Sequence, residues 1–312
     1  MKIDSWNNIV KYRKVYGSFF VFDEQRLVGS GKWVDSFYDI ARKNKWILLS
    51  ATPGDKWVDY IPVFVANGFY RNKTDFNARH VVFARFSKYP IITGYYNEGI
   101  LEKHRRDITV DIPHESELEK YYINVWCDYD VMNYRRVWRD RYDIFNDEAI
   151  EETSRLLHAI RRVVNDDDSR IRAMKKICSV HKKVIVFYNF MYELYKLREF
   201  FKEEGFDIGE WNGECHTEIP DSDCWAYLVQ YAAGCEGWNC TQTNVMIFFS
   251  LNYSYRMTIQ AEGRIERRDT PFHELYYYRL KSRSPIDLAI TRALKEKRNF
   301  NERKFVRRKK NE

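Results

Sequence analysis

A chain of 312 residues and 37.8 kDa has room for about two domains. Apolar residues at 45% and charged residues at 31% exclude a disordered or fibrous chain, and no stretch approaches the roughly 18 apolar residues of a membrane span. The net charge is +7, and residues 292–312, with ten Lys or Arg against three acids, carry a balance equal to all of it.

The first residues, Met1-Lys2-Ile3-Asp4-Ser5, hold an early acid and no apolar h-region, so a soluble cytoplasmic chain is expected. The basic end on a neutral body suits a phosphate-rich partner, or it is a solvated helix end. The cysteines are Cys127, Cys178, Cys215, Cys224, Cys235 and Cys240; none forms a C-x-x-C pair, and reduced thiols rather than a zinc site are expected.

In chain order, Phe19-Phe20-Val21-Phe22 is a continuous apolar run that stops at Asp23-Glu24, as a buried parallel strand does at its carboxyl edge. Trp33, Val34, Phe37, Tyr38 and Ala41 follow at helical spacing. Trp46-Ile47-Leu48-Leu49 is the next strand, ending in Ser50-Ala51-Thr52 and the turn pair Pro53-Gly54. The middle is less regular. Ile108-Thr109-Val110-Asp111-Ile112 alternates, and Tyr122-Ile123-Asn124-Val125-Trp126 can pair with it. Ile150, Leu157, Ile160 and Val164 form one helical stripe, and the Asn165-Asp166-Asp167-Asp168 break offers caps and a domain boundary.

The second half repeats the α/β rhythm. Strands are expected at Val184–Phe187, Trp225–Val229, Val245–Phe249 and Leu275–Tyr278, with a helix over Met191–Glu204 stopped by Gly205. Ser284-Pro285-Ile286-Asp287 reads as a helix start, with Ser as cap and Pro at the first position.

An Asp-Glu pair at the end of a parallel strand can position Mg²⁺ through water and deprotonate an attacking water. Four further segments come in order. Ser50-Ala51-Thr52 is followed by Val186-Phe187-Tyr188-Asn189, by Gly234-Cys235-Glu236-Gly237-Trp238-Asn239 and by Gln260-Ala261-Glu262-Gly263-Arg264-Ile265-Glu266-Arg267. With Asp23-Glu24-Gln25 they resemble motifs II to VI of superfamily 2 helicases and translocases, in the Swi/Snf-like branch and especially those of bacteriophages.

That resemblance implies an α/β fold of RecA-like domains with parallel sheets, using ATP and Mg²⁺ to move on DNA without sequence choice. Asp23 and Glu24 would hold the metal and the water, Arg264 and Arg267 would act as arginine fingers, and Ser50 and Thr52 would relay closure to DNA. Gln25, Gly234, Glu236, Gly237, Asn239, Gln260 and Gly263 would line the nucleotide. It further implies half of a first RecA-like domain over 1–75, a linker or insertion over 76–168, a complete second domain over 169–291 and a basic tail over 292–312. A phage-encoded protein would work in the host cytoplasm. Trp238 can stack on a base or simply pack, and packing is the expected role.

The phosphate-binding loop G-x-x-x-x-G-K-[ST] stands about a hundred residues before motif II in such enzymes. Here 22 residues precede Asp23. In Gly29-Ser30-Gly31-Lys32 the required first glycine is Arg26 and the hydroxyl residue is Trp33, so this segment reads as a loop opening a helix. Three readings stay open: an enzyme whose P-loop is on a separate chain, an ATPase-inactive remnant that binds nucleic acid, and a reading frame begun at an internal Met.

Overall fold

The computed structural model describes residues 1–24, 27, 29–50, 54, 56–84, 90–110, 118–234, 238–302 and 305–306. The chain divides into two compact units, Met1–His114 and Glu115–Glu312.

The first unit opens with a short helical turn, Trp6–Tyr12, capped by the Ser5 hydroxyl. Strand β1 (Phe19–Asp23), helix α1 (Lys32–Ala41) and strand β2 (Lys45–Leu49) then form a strand–helix–strand crossover, and β1 pairs parallel to β2 with Phe20 opposite Trp46 and Asp23 opposite Leu49. Alternation sends Phe20, Phe22, Trp46 and Leu48 toward Val34, Phe37 and Ile40 of α1, while Phe19, Val21, Ile47 and Leu49 stay exposed on the other face. Helices α2 (Ile61–Ala66) and α3 (Lys73–His80), strands β3 (Val81–Phe83) and β4 (Ile92–Tyr95), and helix α4 (Glu98–Ile108) surround a second cluster of Phe64, Tyr70, Phe76 and Leu101.

The second unit contains β5 (Glu119–Cys127), α5 (Val131–Asp140), the two-residue strands β6 (Tyr142–Asp143) and β7 (Glu148–Ala149), and α6 (Thr153–Asn165). It continues with α7 (Asp168–Val180), β8 (Lys183–Tyr188), α8 (Met191–Glu203), β9 (Asp207–Trp211), β10 (Trp225–Gln230) and α9 (Tyr231–Gly234). It ends with β11 (Val245–Phe248), α10 (Tyr255–Glu262), β12 (Glu274–Ser282) and α11 (Pro285–Lys295).

Six of these strands form one parallel sheet in the order β5-β12-β11-β8-β10-β9. Both faces are apolar, which is why the strands read as continuous hydrophobic runs. Val184, Val186, Leu228 and Ile247 pack on Met174, Ile177, Leu194 and Leu197 of α7 and α8. Ile185, Phe187, Tyr227 and Met246 pack on Trp238, Ala261 and Ile265. The fold is therefore α/β with a helix-flanked parallel sheet, the architecture expected of a RecA-like domain.

The strands expected at 184–187, 225–229, 245–249 and 275–278 and the helix stopped by Gly205, at φ +74°, are all present. So is the Ser284 cap, whose hydroxyl accepts from the Asp287 amide. Two expectations fail. Residues up to Ile108 are helical in α4, and Asp111 and Ile112 lie outside the described residues, so Tyr122–Trp126 has no such neighbour among the described residues. Instead β5 pairs with β12, where Tyr121 stacks on Tyr276 and Tyr122 on Tyr277, at ring separations of 5.4 and 5.2 Å. The boundary between the units also falls at His114/Glu115 rather than near residue 168, because β5 is an integral strand of the large sheet.

A buried ion pair locks the second unit. Arg170 on α7, with no exposed side-chain surface, donates to the carbonyls of Val164, Phe249 and Leu280 and to Asp287 Oδ2 at 3.2 Å. Asp287 also accepts from the Ser282 amide and hydroxyl at 2.8 and 3.0 Å. Beneath α5, α6 and α11 lies a third core that takes in Phe305 and Val306, with Phe300 packed against it. The expected basic tail is thus partly a core element.

Two stability measurements follow from this packing. Asp287→Ala strands a buried guanidinium and should cost about 3–5 kcal/mol in urea unfolding, whereas Arg170→Met with Asp287→Leu should cost much less. A chain ending at Thr291 removes Phe300, Phe305 and Val306 from the third core, and should melt well below the full chain or fail to fold.

Candidate functional site

In the first unit, the parallel pairing of β1 and β2 sets Asp23 opposite Leu49 and so brings the acid pair beside Ser50, at the carboxyl ends of adjacent strands. The Trp6 indole donates to the Asp23 carbonyl at 2.7 Å and pins this strand end. Asp23 is exposed and Glu24 half-buried. Glu24 has φ +63°, a left-handed backbone unusual for a side chain with a Cβ, and such residues concentrate at functional turns. Gln25 and Thr52 lie outside the described residues. Gly29, at φ +73°, and Gly31 lie in the loop that opens α1, as the sequence indicated.

In the second unit, the glycine-rich segment and the arginine segment come together. Arg264 donates from Nη1 to the Trp238 carbonyl at 2.8 Å and from Nε to the Gln260 carbonyl at 3.1 Å. The Cys240 amide donates to the Arg264 carbonyl at 3.0 Å. Arg267 donates from Nη2 to Asn239 Oδ1, and its buried Nε has no hydrogen-bond partner among the described residues. Glu236 and Gly237 lie outside the described residues. Gly263 closes α10 in an ordinary right-handed conformation, φ −65°.

The acids interleaved with the arginines are engaged elsewhere. Glu262 is buried, accepting from Arg279 at 2.7 Å and from the Tyr122 hydroxyl at 3.0 Å, and Glu266 pairs with Lys120 at 2.5 Å. Burial, reinforced by Glu262, pushes the Tyr122 phenol pKa up. Backbone and amide oxygens thus help to orient the guanidiniums at 264 and 267. Trp238 is buried against Phe187 and Tyr227 and donates from Nε1 to the Gly234 carbonyl at 2.8 Å, so it packs as expected.

A polar network at the carboxyl ends of β8 and β11 was not visible in the sequence beyond Asn189. Asn189 Nδ2 donates to Ser250 Oγ at 2.7 Å, and its Oδ1 accepts from Asn252 at 2.8 Å. Fully buried Glu193 accepts from the Asn189 amide and the Ser250 hydroxyl at 2.8 and 2.9 Å, and from Asn165 at 2.8 Å. Burial pushes the Glu193 carboxyl pKa up. The one available signal was a Glu in the first turn of α8, where it caps the helix by accepting from the Asn189 and Phe190 amides.

Among the described residues no cluster of three His, Cys, Asp or Glu could hold a metal ion, and no helix is long and apolar enough to cross a membrane. No protein-family model matches the chain, and no curated protein matches it. The chain is similar to a solved structure of the C-terminal part of the Fun30 ATPase domain, at 14% identity and a TM-score of 0.45, over 56% of this chain and 89% of that one. It is also similar to the Sulfolobus solfataricus SWI2/SNF2 ATPase core in complex with dsDNA, at 16% identity and a TM-score of 0.43, over 97% of this chain and 71% of that one.

Gly234 shows how tightly the glycine-rich segment is seated. A Cβ there would come within 2.0 Å of Val229 Cγ1, a fully buried β-branched side chain, whereas at Gly263 the nearest atom would be 3.5 Å away. Gly234→Ala should lower stability by about 1–3 kcal/mol and Gly263→Ala by under about 0.5 kcal/mol in thermal or urea unfolding.

Proposed function

We propose that the chain is part of an ATP-dependent DNA helicase or translocase of the Swi/Snf-like, phage-encoded kind. The observation that carries this reading is the seating of Arg264 and Arg267 on Trp238 and Asn239, which joins two segments that the resemblance assigns to one nucleotide-handling surface. Guanidiniums oriented in this way present paired N–H donors that match phosphate oxygens, the chemistry that stabilises a phosphoryl-transfer transition state.

Within the first unit, exposed Asp23 can hold a metal ion through water and Glu24 can take a proton from an attacking water; within the second, the two arginines match phosphate oxygens. Mg²⁺ would neutralise charge on the phosphates and lower the cost of bond cleavage. Ser50 stands one residue past β2, beside the acids, where a change at the nucleotide can be passed to a DNA contact. The described residues supply no phosphate-cradling loop. The exposed apolar face of β1 and β2 supports completion of that sheet by further polypeptide, since parallel sheets are ordinarily covered on both faces. The same missing loop favours the alternative of an ATPase-inactive, nucleic-acid-binding remnant.

Phosphate release separates the two readings. The 312 residues alone, with DNA and Mg²⁺, should release no more phosphate than a Glu24→Gln variant. Fused to the P-loop-bearing segment of a Swi/Snf-type ATPase, the chain should show DNA-stimulated release that Glu24→Gln abolishes. Arg267→Ala should reduce turnover by about 10³–10⁵-fold while DNA affinity changes little. A fusion without DNA-stimulated release, or one indifferent to both substitutions, would leave the remnant as the better account.

A further inference from the structure

The edge strand β5 carries a feature that the helicase-like segments do not use. Trp126, 50% exposed, stands in register with Lys281 of β12 at the carboxyl ends of the two strands. Lys281 Nζ lies 4.6 Å and the exposed Arg283 guanidinium 5.4 Å from the centre of the indole. Lys281 is only 6% exposed, yet it forms no ion pair with a carboxylate among the described residues, and neither does Arg283.

Two cations set against one indole, with no ion-paired carboxylate among the described residues, leave positive charge there for an anion to meet. Partial burial, with Lys295 and Arg279 nearby, pushes the Lys281 pKa down against an opposing pull from Asp287. Around the same edge, an open groove of about 460 Å³ is lined by Trp126, Arg172, Lys176 and His181, with Asp128 the only acid in its lining among the described residues. Open parallel sheets bind ligands beyond their carboxyl strand ends, where this corner lies.

We propose that the Trp126 corner binds single-stranded nucleic acid, with a base stacked on the indole, phosphates on Lys281 and Arg283, and the strand continuing into the groove beside Arg172 and Lys176. A half-exposed aromatic platform beside cations that form no ion pair with a carboxylate among the described residues is the chemistry that grips a strand without reading its sequence. It shares only a nucleic-acid partner with the function proposed above and needs neither ATP nor the acid pair.

The test uses the full chain and a fluorescein-labelled oligothymidine, with anisotropy titrations from about 50 to 200 mM salt. Trp126→Ala should weaken binding by about 5- to 100-fold, and Trp126→Phe should restore most of it. Lys281→Met with Arg283→Ala should flatten the slope of log K against log salt by about 1.4, near 0.7 for each phosphate no longer neutralised. If Lys281→Met impairs folding, the exposed Arg283→Ala alone should still flatten it by about 0.7. Folded Trp126→Ala and Arg283→Ala variants with unchanged affinity and slope would overturn the proposal. So would tighter binding of a poly-glutamate peptide that depends on the same residues, which would make the corner an acidic-peptide site. Phosphate release plays no part in this assay, so loss of the ATPase reading leaves its outcome intact.

Discussion

The second unit depends on one buried guanidinium. Arg170 reaches the last turn of α6, the carboxyl ends of β11 and β12 and the first turn of α11, elements separated by up to 117 positions in sequence. The Val164 and Phe249 carbonyls lie where a helix and a strand end and regular bonding no longer supplies a donor. Replacing such a pair with apolar side chains often costs little, so its value is in specifying geometry rather than in net stability. Arg170 thereby ties α7 to the ends of β11 and β12, while Glu193 holds its own network at the ends of β8 and β11.

The carboxyl edge of the sheet gathers the polar residues for a reason that begins in the backbone. Within the central strands β8 and β11 both faces are committed to apolar packing, so polar side chains gather after the last ladder bond. Asn189, Ser250 and Asn252 follow β8 and β11 by one to four residues and satisfy one another there. Asp23 and Ser50 stand at the corresponding ends of β1 and β2. The chemistry of the chain collects where the fold permits it.

This is also why part of the site was legible in the sequence and part was not. An apolar run that stops at Asp23-Glu24 or at Asn189 announces both the strand and its polar end, because the apolar pattern and its break lie in consecutive residues. The pairing of β5 with β12 joins residues more than 150 positions apart and leaves no local trace. The alternation in Ile108–Ile112 suggested a neighbour because it was near in sequence, but Leu101 and Ile108 fall on a helix that packs in the first unit. The engagement of Glu262 by Arg279 and of Glu266 by Lys120 was equally hidden, because each joins residues far apart in sequence or on different elements.

Charge makes the same point more sharply. Summed along the chain, the positive excess belongs to residues 292–312, and a free basic tail follows from that sum. In the folded unit Phe300 packs on Tyr253 and Phe305 on Trp138, so part of that stretch is tied to the body. Meanwhile Lys281 and Arg283, within a stretch whose charges cancel, lack a carboxylate partner among the described residues. Counter-ion release and phosphate affinity depend on cations that folding leaves uncompensated, not on those that a segment contains. Lys281 and Arg283 beside Trp126 are cations of that kind among the described residues, although they lie in a stretch that adds nothing to the chain's net charge.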